Sequence, residues 1–281
     1  MIQRAALLAL SAAVFAMAVV SAAAGSPDEP GARGEQAAGV SGFYLVDEVG
    51  TGGGVANGAA ALTALCEPDD AMLAAGFSGI DPGTSVANHR LIQFSPDGWR
   101  VGWRNDGTVD SARLTIVCWR ENFGVSLSNF TFAGLANGPA SATLGCPEGE
   151  DPIGIGGGFG EVNATTRIER SVPYGPDEAW RVSWFSVGTA DSVRLQVYCG
   201  ETSLNIYPKT MLALAGGGDN PTFTLACNDN DVLAAVGFFN VKNGVHLRGA
   251  RPLDTHTAVI SWQNGMSPTH VGLKINCLEV D

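Results

Sequence analysis

The chain has 281 residues, 45% hydrophobic and 16% charged, with 16 basic against 28 acidic side chains and a formal net charge of -12. That composition excludes a disordered or collagen-like chain. The acidic balance argues against nucleic acid as a partner, because binding it takes clustered Lys and Arg.

Residues 1–24 read as a secretion signal, with Arg4 as the charged start, an uncharged apolar run from Ala5 to Val20, and small residues Ala22, Ala23 and Ala24 before the expected cleavage point. That run is short for a membrane span, and no later segment reaches the roughly 18 apolar residues one needs. No membrane span is therefore expected after signal cleavage, and the expected location is secreted or extracellular, with periplasm or cell surface as variants. Residues 25–40 are Ser, Pro, Asp, Glu, Gly, Ala, Arg and Gln in low-hydropathy order and read as a flexible leader.

From there the chain repeats three times, over 41–122, 123–201 and 202–281. Cys66 and Cys118, Cys146 and Cys199, and Cys227 and Cys277 are 52, 53 and 50 residues apart, and Trp103, Trp184 and Trp262 each precede the second Cys of their unit by 15 residues. Each unit opens with a strand, near Phe43–Asp47, Phe130–Ala133 and Asn205–Tyr207. A second strand leads into the first Cys: Ala59–Cys66, Ala140–Cys146 and Thr222–Cys227. A third follows it and ends in Gly-Phe: Gly76-Phe77, Gly158-Phe159 and Gly237-Phe238. Glycine there predicts a bulge or a close backbone approach. Leu91–Phe94, Arg167–Ser171 and His246–Ala250 form a fourth strand.

The last two strands alternate most clearly. Trp99, Val101 and Trp103 share one face, as do Trp180, Val182 and Trp184, and Ala258, Ile260 and Trp262; Arg100 and Arg181 fall opposite. Leu114, Ile116 and Cys118 share a face, as do Leu195, Val197 and Cys199, and Leu273, Ile275 and Cys277; Arg113, Arg194 and Lys274 fall opposite. Period-two alternation of this kind marks half-buried strands with Cys and Trp turned inward. The fold class is all-β: three tandem antiparallel sandwich-like modules of about 80 residues, or alternatively one pseudo-threefold, β-prism-like body in which the repeats close around an axis.

A unit of that size is close to the lower limit for independent stability. Pairing of the cysteines within each repeat would staple it, each bridge closing a loop of about 50 residues for about 4 kcal/mol. Zinc is the competing use of paired Cys, but there is no Cys-x-x-Cys and the four His are scattered.

Unit two, with Cys146-Pro147-Glu148-Gly149, then Gly156-Gly157-Gly158-Phe159, Trp180-Arg181-Val182 and the strand ending at Cys199, resembles a disulfide-stapled β module frequent in exported bacterial proteins. Units one and three depart from it: Cys66-Glu67-Pro68 and Cys227-Asn228-Asp229 lack the Cys-Pro start. The resemblance implies the architecture and export, and carries no catalytic residue with it.

Motifs for chemistry are sparse. There is no nucleophile elbow, no His-Glu-x-x-His and no phosphate-binding loop. Asp70, Glu150 and Asp231 each lie four residues after the first Cys of their unit, which suits a structural turn or a calcium site built from hard oxygen ligands; calcium is the one cofactor to consider. Trp119 falls on the face opposite the core, and Tyr174 and Tyr207 lie beside prolines, so these three are the candidate surface contacts. The function expected is a non-enzymatic exported repeat protein, a binding or structural module with a cell-envelope component or a glycan as partner. A lectin-like carbohydrate binder and a secreted hydrolase using paired carboxylates are the alternatives.

Overall fold

A computed structural model of the chain describes residues 42–51, 59–79, 84–95, 98–105, 111–120, 126–134, 137–146, 153–160, 166–175, 179–188, 192–200 and 204–280. The expected signal and leader lie outside the described residues. Every regular element among them is a strand. Repeat one supplies β1 (Phe43–Thr51), β2 (Ala59–Leu65), β3 (Ala71–Ser78), β4 (Thr84–Ser95), β5 (Gly98–Asn105) and β6 (Ser111–Trp119). Repeat two supplies β7 (Ser126–Ala133), β8 (Gly138–Gly145), β9 (Ile153–Gly160), β10 (Thr166–Tyr174), β11 (Ala179–Ser186) and β12 (Ser192–Gly200). Repeat three supplies β13 (Ile206–Ala215), β14 (Thr222–Ala226), β15 (Val232–Phe239), β16 (Val245–Pro252), β17 (Thr257–Asn264) and β18 (Thr269–Leu278).

Within a repeat the six strands form two antiparallel half-sheets. In repeat one these are β1-β6-β3 and β2-β5-β4, and the other repeats follow the same plan. The half-sheets do not end there. Sheet I runs β1-β6-β3-β16-β17-β14, sheet II β13-β18-β15-β10-β11-β8, and sheet III β2-β5-β4-β9-β12-β7. Each sheet thus takes three strands from each of two repeats, and each repeat enters two sheets. Of the two arrangements the repetition allowed, this is the closed one. The boundaries expected at 123 and 202 do not separate sheets.

The seams explain the Gly-Phe signature. Each is a single bridging pair: Phe77 with Ala250, Phe159 with Leu91, and Phe238 with Ser171. A Cβ on Gly76 would lie 2.2 Å from the Ala250 carbonyl oxygen, and one on Gly237 would lie 2.5 Å from that of Ser171. Only glycine lets these backbones approach, the close approach that the sequence predicted. The strands carrying these glycines, β3, β9 and β15, touch one another, with Phe159 edge-on to Phe238 at 6.2 Å. They form the centre around which the three sheets are arranged, and all the described residues fall in one compact unit, Gly31–Asp281.

Between the half-sheets of each repeat lies the core. Trp99, Trp103, Trp180, Trp184 and Trp262 are fully buried, as are Leu114, Leu195 and Leu273 on the facing strands. In repeat two the space for Trp180 is made by Gly157, where a Cβ would lie 2.4 Å from the indole. Trp180 donates its indole N–H to Ser171 Oγ and Trp262 to Asn264 Oδ1, whereas the buried N–H groups of Trp99, Trp103 and Trp184 have no acceptor. The three disulfides are those expected, Cys66–Cys118, Cys146–Cys199 and Cys227–Cys277. Each ties the end of a strand of one sheet to a central strand of the next. Such bonds are those of an oxidising compartment. Among the described residues no helix is long and apolar enough to cross a membrane.

The opening strands are longer than their patterns predict: β7 begins at Ser126 and β13 reaches Ala215. Both are sheet edges, so one side of each strand packs on little, and the apolar alternation that reveals a strand is weak there. Phe130 on β7 stays 57% exposed beside Phe132 for this reason.

Candidate functional site

The conspicuous residues of the sequence gather at two places, the disulfide end of the molecule and the outer face of sheet II. At the disulfide end, the turn after the first Cys is built identically in repeats one and three. Asp70 N–H donates to the Glu67 carbonyl and Asp231 N–H to that of Asn228, each at 3.1 Å. Asp69 and Asn230, just before, take the left-handed conformation at φ 71° and 72°, where Asp and Asn are among the residues best tolerated. A tyrosine from the opening strand closes each turn. Tyr44 Oη donates to Asp70 Oδ2 at 2.6 Å and accepts the Glu67 N–H at 2.7 Å. Tyr207 Oη donates to Asp231 Oδ2 at 2.5 Å and accepts the Asn228 N–H at 2.9 Å.

This pairing assigns two of the three expected calcium ligands a structural partner. Asp231 is only 6% exposed. In repeat two the residue opposite Cys199 is Ser126, where Tyr44 faces Cys118 and Tyr207 faces Cys277. The phenol is therefore missing there, and Glu150 lies outside the described residues. Among the described residues no group of three or more His, Cys, Asp or Glu is placed to hold a metal.

Burial, and then the bond to Asp231, raises the Tyr207 hydroxyl to about 12; Tyr44 is raised for the same reasons, with Asp70 as its partner. Both stay protonated donors at neutral pH. A tyrosine whose pKa is higher in the folded than in the unfolded chain stabilises the fold fully below its ordinary value of 10, and that contribution disappears as pH rises through about 12. We expect the wild type to lose more stability over this interval than Tyr207→Phe, in chemical denaturation at matched pH. Ionisation of Tyr44 and Tyr207 should develop late in a pH titration of tyrosinate absorbance, assigned by the matching Phe variants. Either one titrating near the ordinary value would contradict the pairing.

Charge is distributed unevenly over the fold. Twelve of the 16 basic residues lie in the eighteen strands, but only three of the 28 carboxylates do: Asp47, Glu48 and Glu169. The strands thus carry a formal +9, and the rest of the chain -21. Seven described carboxylates, among them Asp70, Asp231, Asp254 and Glu279, lie in or next to the turns at the disulfide end.

The outer face of sheet II shows what those strand cations do. Directly paired residues of an antiparallel ladder share a face. Along β10 and β11 the outward pairs are Arg167 with Phe185, Arg170 with Ser183, Val172 with Arg181 and Tyr174 with Ala179. Next to them, across the seam, Gly237 pairs with Lys274 and Phe239 with Gly272. Each guanidinium sits over a ring: Arg181 over Tyr174 at 5.0 Å, Arg167 over Phe185 at 5.4 Å and Arg170 over Phe239 at 5.8 Å. Each such contact contributes about 0.5–1 kcal/mol and fixes the head group. Lys274 Nζ donates to the Pro173 carbonyl oxygen at 2.8 Å, and burial, followed by the charge of Arg170, pushes its ammonium below the ordinary value. Among the described residues one carboxylate answers the row: Glu169, 2.5 Å from Arg167. Arg170, Arg181 and Lys274 form no ion pair among the described residues. On sheet I, by contrast, Arg113 is paired with Asp47 at 3.1 Å.

Of the three surface contacts the sequence suggested, the structure brings only Tyr174 into this face, 45% exposed under Arg181. Trp119 is half-buried against Phe43, ring on ring at 5.2 Å, and Tyr207 is held by Asp231. Arg167, Arg170, Arg181, Phe185 and Phe239 were not singled out in sequence. The signal was there for Arg181, which falls opposite the tryptophans, but the bulge between Ile168 and Arg170 breaks the alternation that would have placed Arg167 and Arg170 on the same side.

No protein-family model matches the chain, and no curated protein does. A solved structure described as "The Triple Jelly Roll Fold and Turret Assembly in an Archaeal Virus" aligns with 85% of this chain and 90% of its own at 8% identity. The TM-score is 0.21, so the two backbones do not superimpose as one fold and nothing about this chain's function follows from the likeness.

Proposed function

We propose that the chain is an exported, non-enzymatic binding or structural module of the cell envelope or extracellular space. The observation that supports this reading best is the interlocking of three repeats into one body by shared sheets. The repeated acids Asp70 and Asp231 serve that body as hydrogen-bond acceptors for Tyr44 and Tyr207, and three disulfides reinforce it. Such a framework suits a durable scaffold, and its broad sheet faces offer the contact surface.

A lectin-like role is the second reading, favoured by the exposed ring of Tyr174 next to the Arg181 guanidinium. The test is a pull-down of purified residues 25–281 with envelope fractions and with immobilised glycans, with and without calcium, alongside assays on polysaccharide and peptide substrates. Saturable binding without turnover is the expected outcome. Turnover of either substrate class, lost on substitution of a carboxylate, would replace this reading with the hydrolase.

A further inference from the structure

We infer that the outer face of sheet II binds a linear acidic polysaccharide, one bearing carboxylates along its chain; the inference rests on the binding-module reading above. Four cations, Arg167, Arg170, Arg181 and Lys274, project from strands β10, β11 and β18 of this one face, with Glu169 as the single carboxylate among the described residues of that face. Arg170 and Lys274 are close enough for the charge of one to depress the ionisation of the other. A molecule with net charge -12 that holds like charges together on one face gains most by letting an anion neutralise them.

The chemistry of the surroundings narrows the class of anion. The rings of Tyr174, Phe185 and Phe239 are each engaged by a guanidinium. They orient cations and do not form the row of open stacking platforms on which single-stranded nucleic acid depends. Between the cations the face presents hydroxyls, Thr143 and Ser183 among them, directly paired with Arg181 and Arg170 across the ladders. Guanidinium for carboxylate and hydroxyl for sugar hydroxyl is the donor set an acidic glycan requires. Neighbouring strands are about 4.8 Å apart, so Lys274 and Arg181, three strands apart, span about 14 Å, room for more than one sugar unit. The carboxylates at the disulfide end repel the same polymer, which confines it to the sheet face.

The test measures binding of residues 25–281 to alginate, with dextran as the neutral polymer and single-stranded DNA as the other polyanion, at low and at high salt. Alginate is expected to bind at low salt, to be released as salt screens the contact, and to lose about tenfold or more in affinity in Arg170→Ala/Lys274→Ala. The charge-matched pair Arg113→Ala/Arg120→Ala, on sheet I and at the disulfide end, should bind as wild type. Because Lys274 also holds the Pro173 carbonyl, Arg170→Lys/Lys274→Arg serves as the conservative variant and should retain binding. No alginate binding, or equal loss in the two alanine pairs, overturns the inference. DNA bound as tightly as alginate, and lost in the same face variant, overturns the choice of glycan. Envelope binding without alginate binding removes this inference and leaves the binding-module reading in place.

Discussion

Gly237→Ala should be among the most damaging single-methyl additions in the molecule. Its new Cβ would lie 2.5 Å from the Ser171 carbonyl oxygen and 2.8 Å from the Val172 Cα, both backbone atoms of β10. No rotamer can relieve contacts with backbone, so the strands must separate at the point where repeat three joins repeat two. That junction has one bridging pair, Ser171 with Phe238, and little with which to absorb the shift. A loss of about 3 kcal/mol is expected, read as a lower urea midpoint and as faster amide exchange along β10 and β15. Gly76→Ala should behave alike at the seam with repeat three. Gly175→Ala is the control: its φ is +81° and nothing lies within 4 Å of the added atom, so its cost is that of the backbone alone, about 1 kcal/mol. If the two substitutions cost the same, the seam is not where the sheets join.

Removal of one disulfide should weaken the entire molecule. In Cys227→Ala/Cys277→Ala the unfolded chain regains the freedom of a loop whose ends are 50 residues apart, about 4 kcal/mol by the chain-entropy estimate. The bond ties the end of β14, in sheet I, to β18, in sheet II. Repeat three also enters the seams with both other repeats, at Ala250 and at Phe238. Three independent modules would respond with one early transition for repeat three and two unchanged ones. The shared sheets predict a single cooperative transition, moved down as a whole. Calorimetry distinguishes the two, and an undisturbed transition for repeats one and two would refute the interlocked body.

Much of this molecule is legible along the chain because its strands bury one face. Where a strand has core on one side and a more open face on the other, as around Trp184 and Trp262, alternation shows both the strand and the direction of each side chain. The repeated spacings of Cys and Trp then reveal the threefold plan and the disulfides. Even the close approach at Gly76 and Gly237 is visible, since glycine before a buried Phe has few other uses in a strand. The acidic turns at Asp70 and Asp231 are also visible as a pattern, although the partners that occupy them, Tyr44 and Tyr207, lie more than 20 residues away and carry no local mark.

Local pattern says nothing about which half-sheet continues into which. Phe77 meets Ala250 across most of the chain's length, and a backbone bridge is made of N–H and C=O groups that every residue possesses, so no side chain advertises the pairing. The edges β7 and β13 were short in the pattern for a related reason: without a neighbour on one side, burial does not impose alternation. Charge follows the same division. Arginines at outward strand positions can be read one at a time, but a row of cations on one face needs β10 and β18 brought together across a seam, and that is a property of closure, which joins residues from different repeats through contacts no single repeat contains.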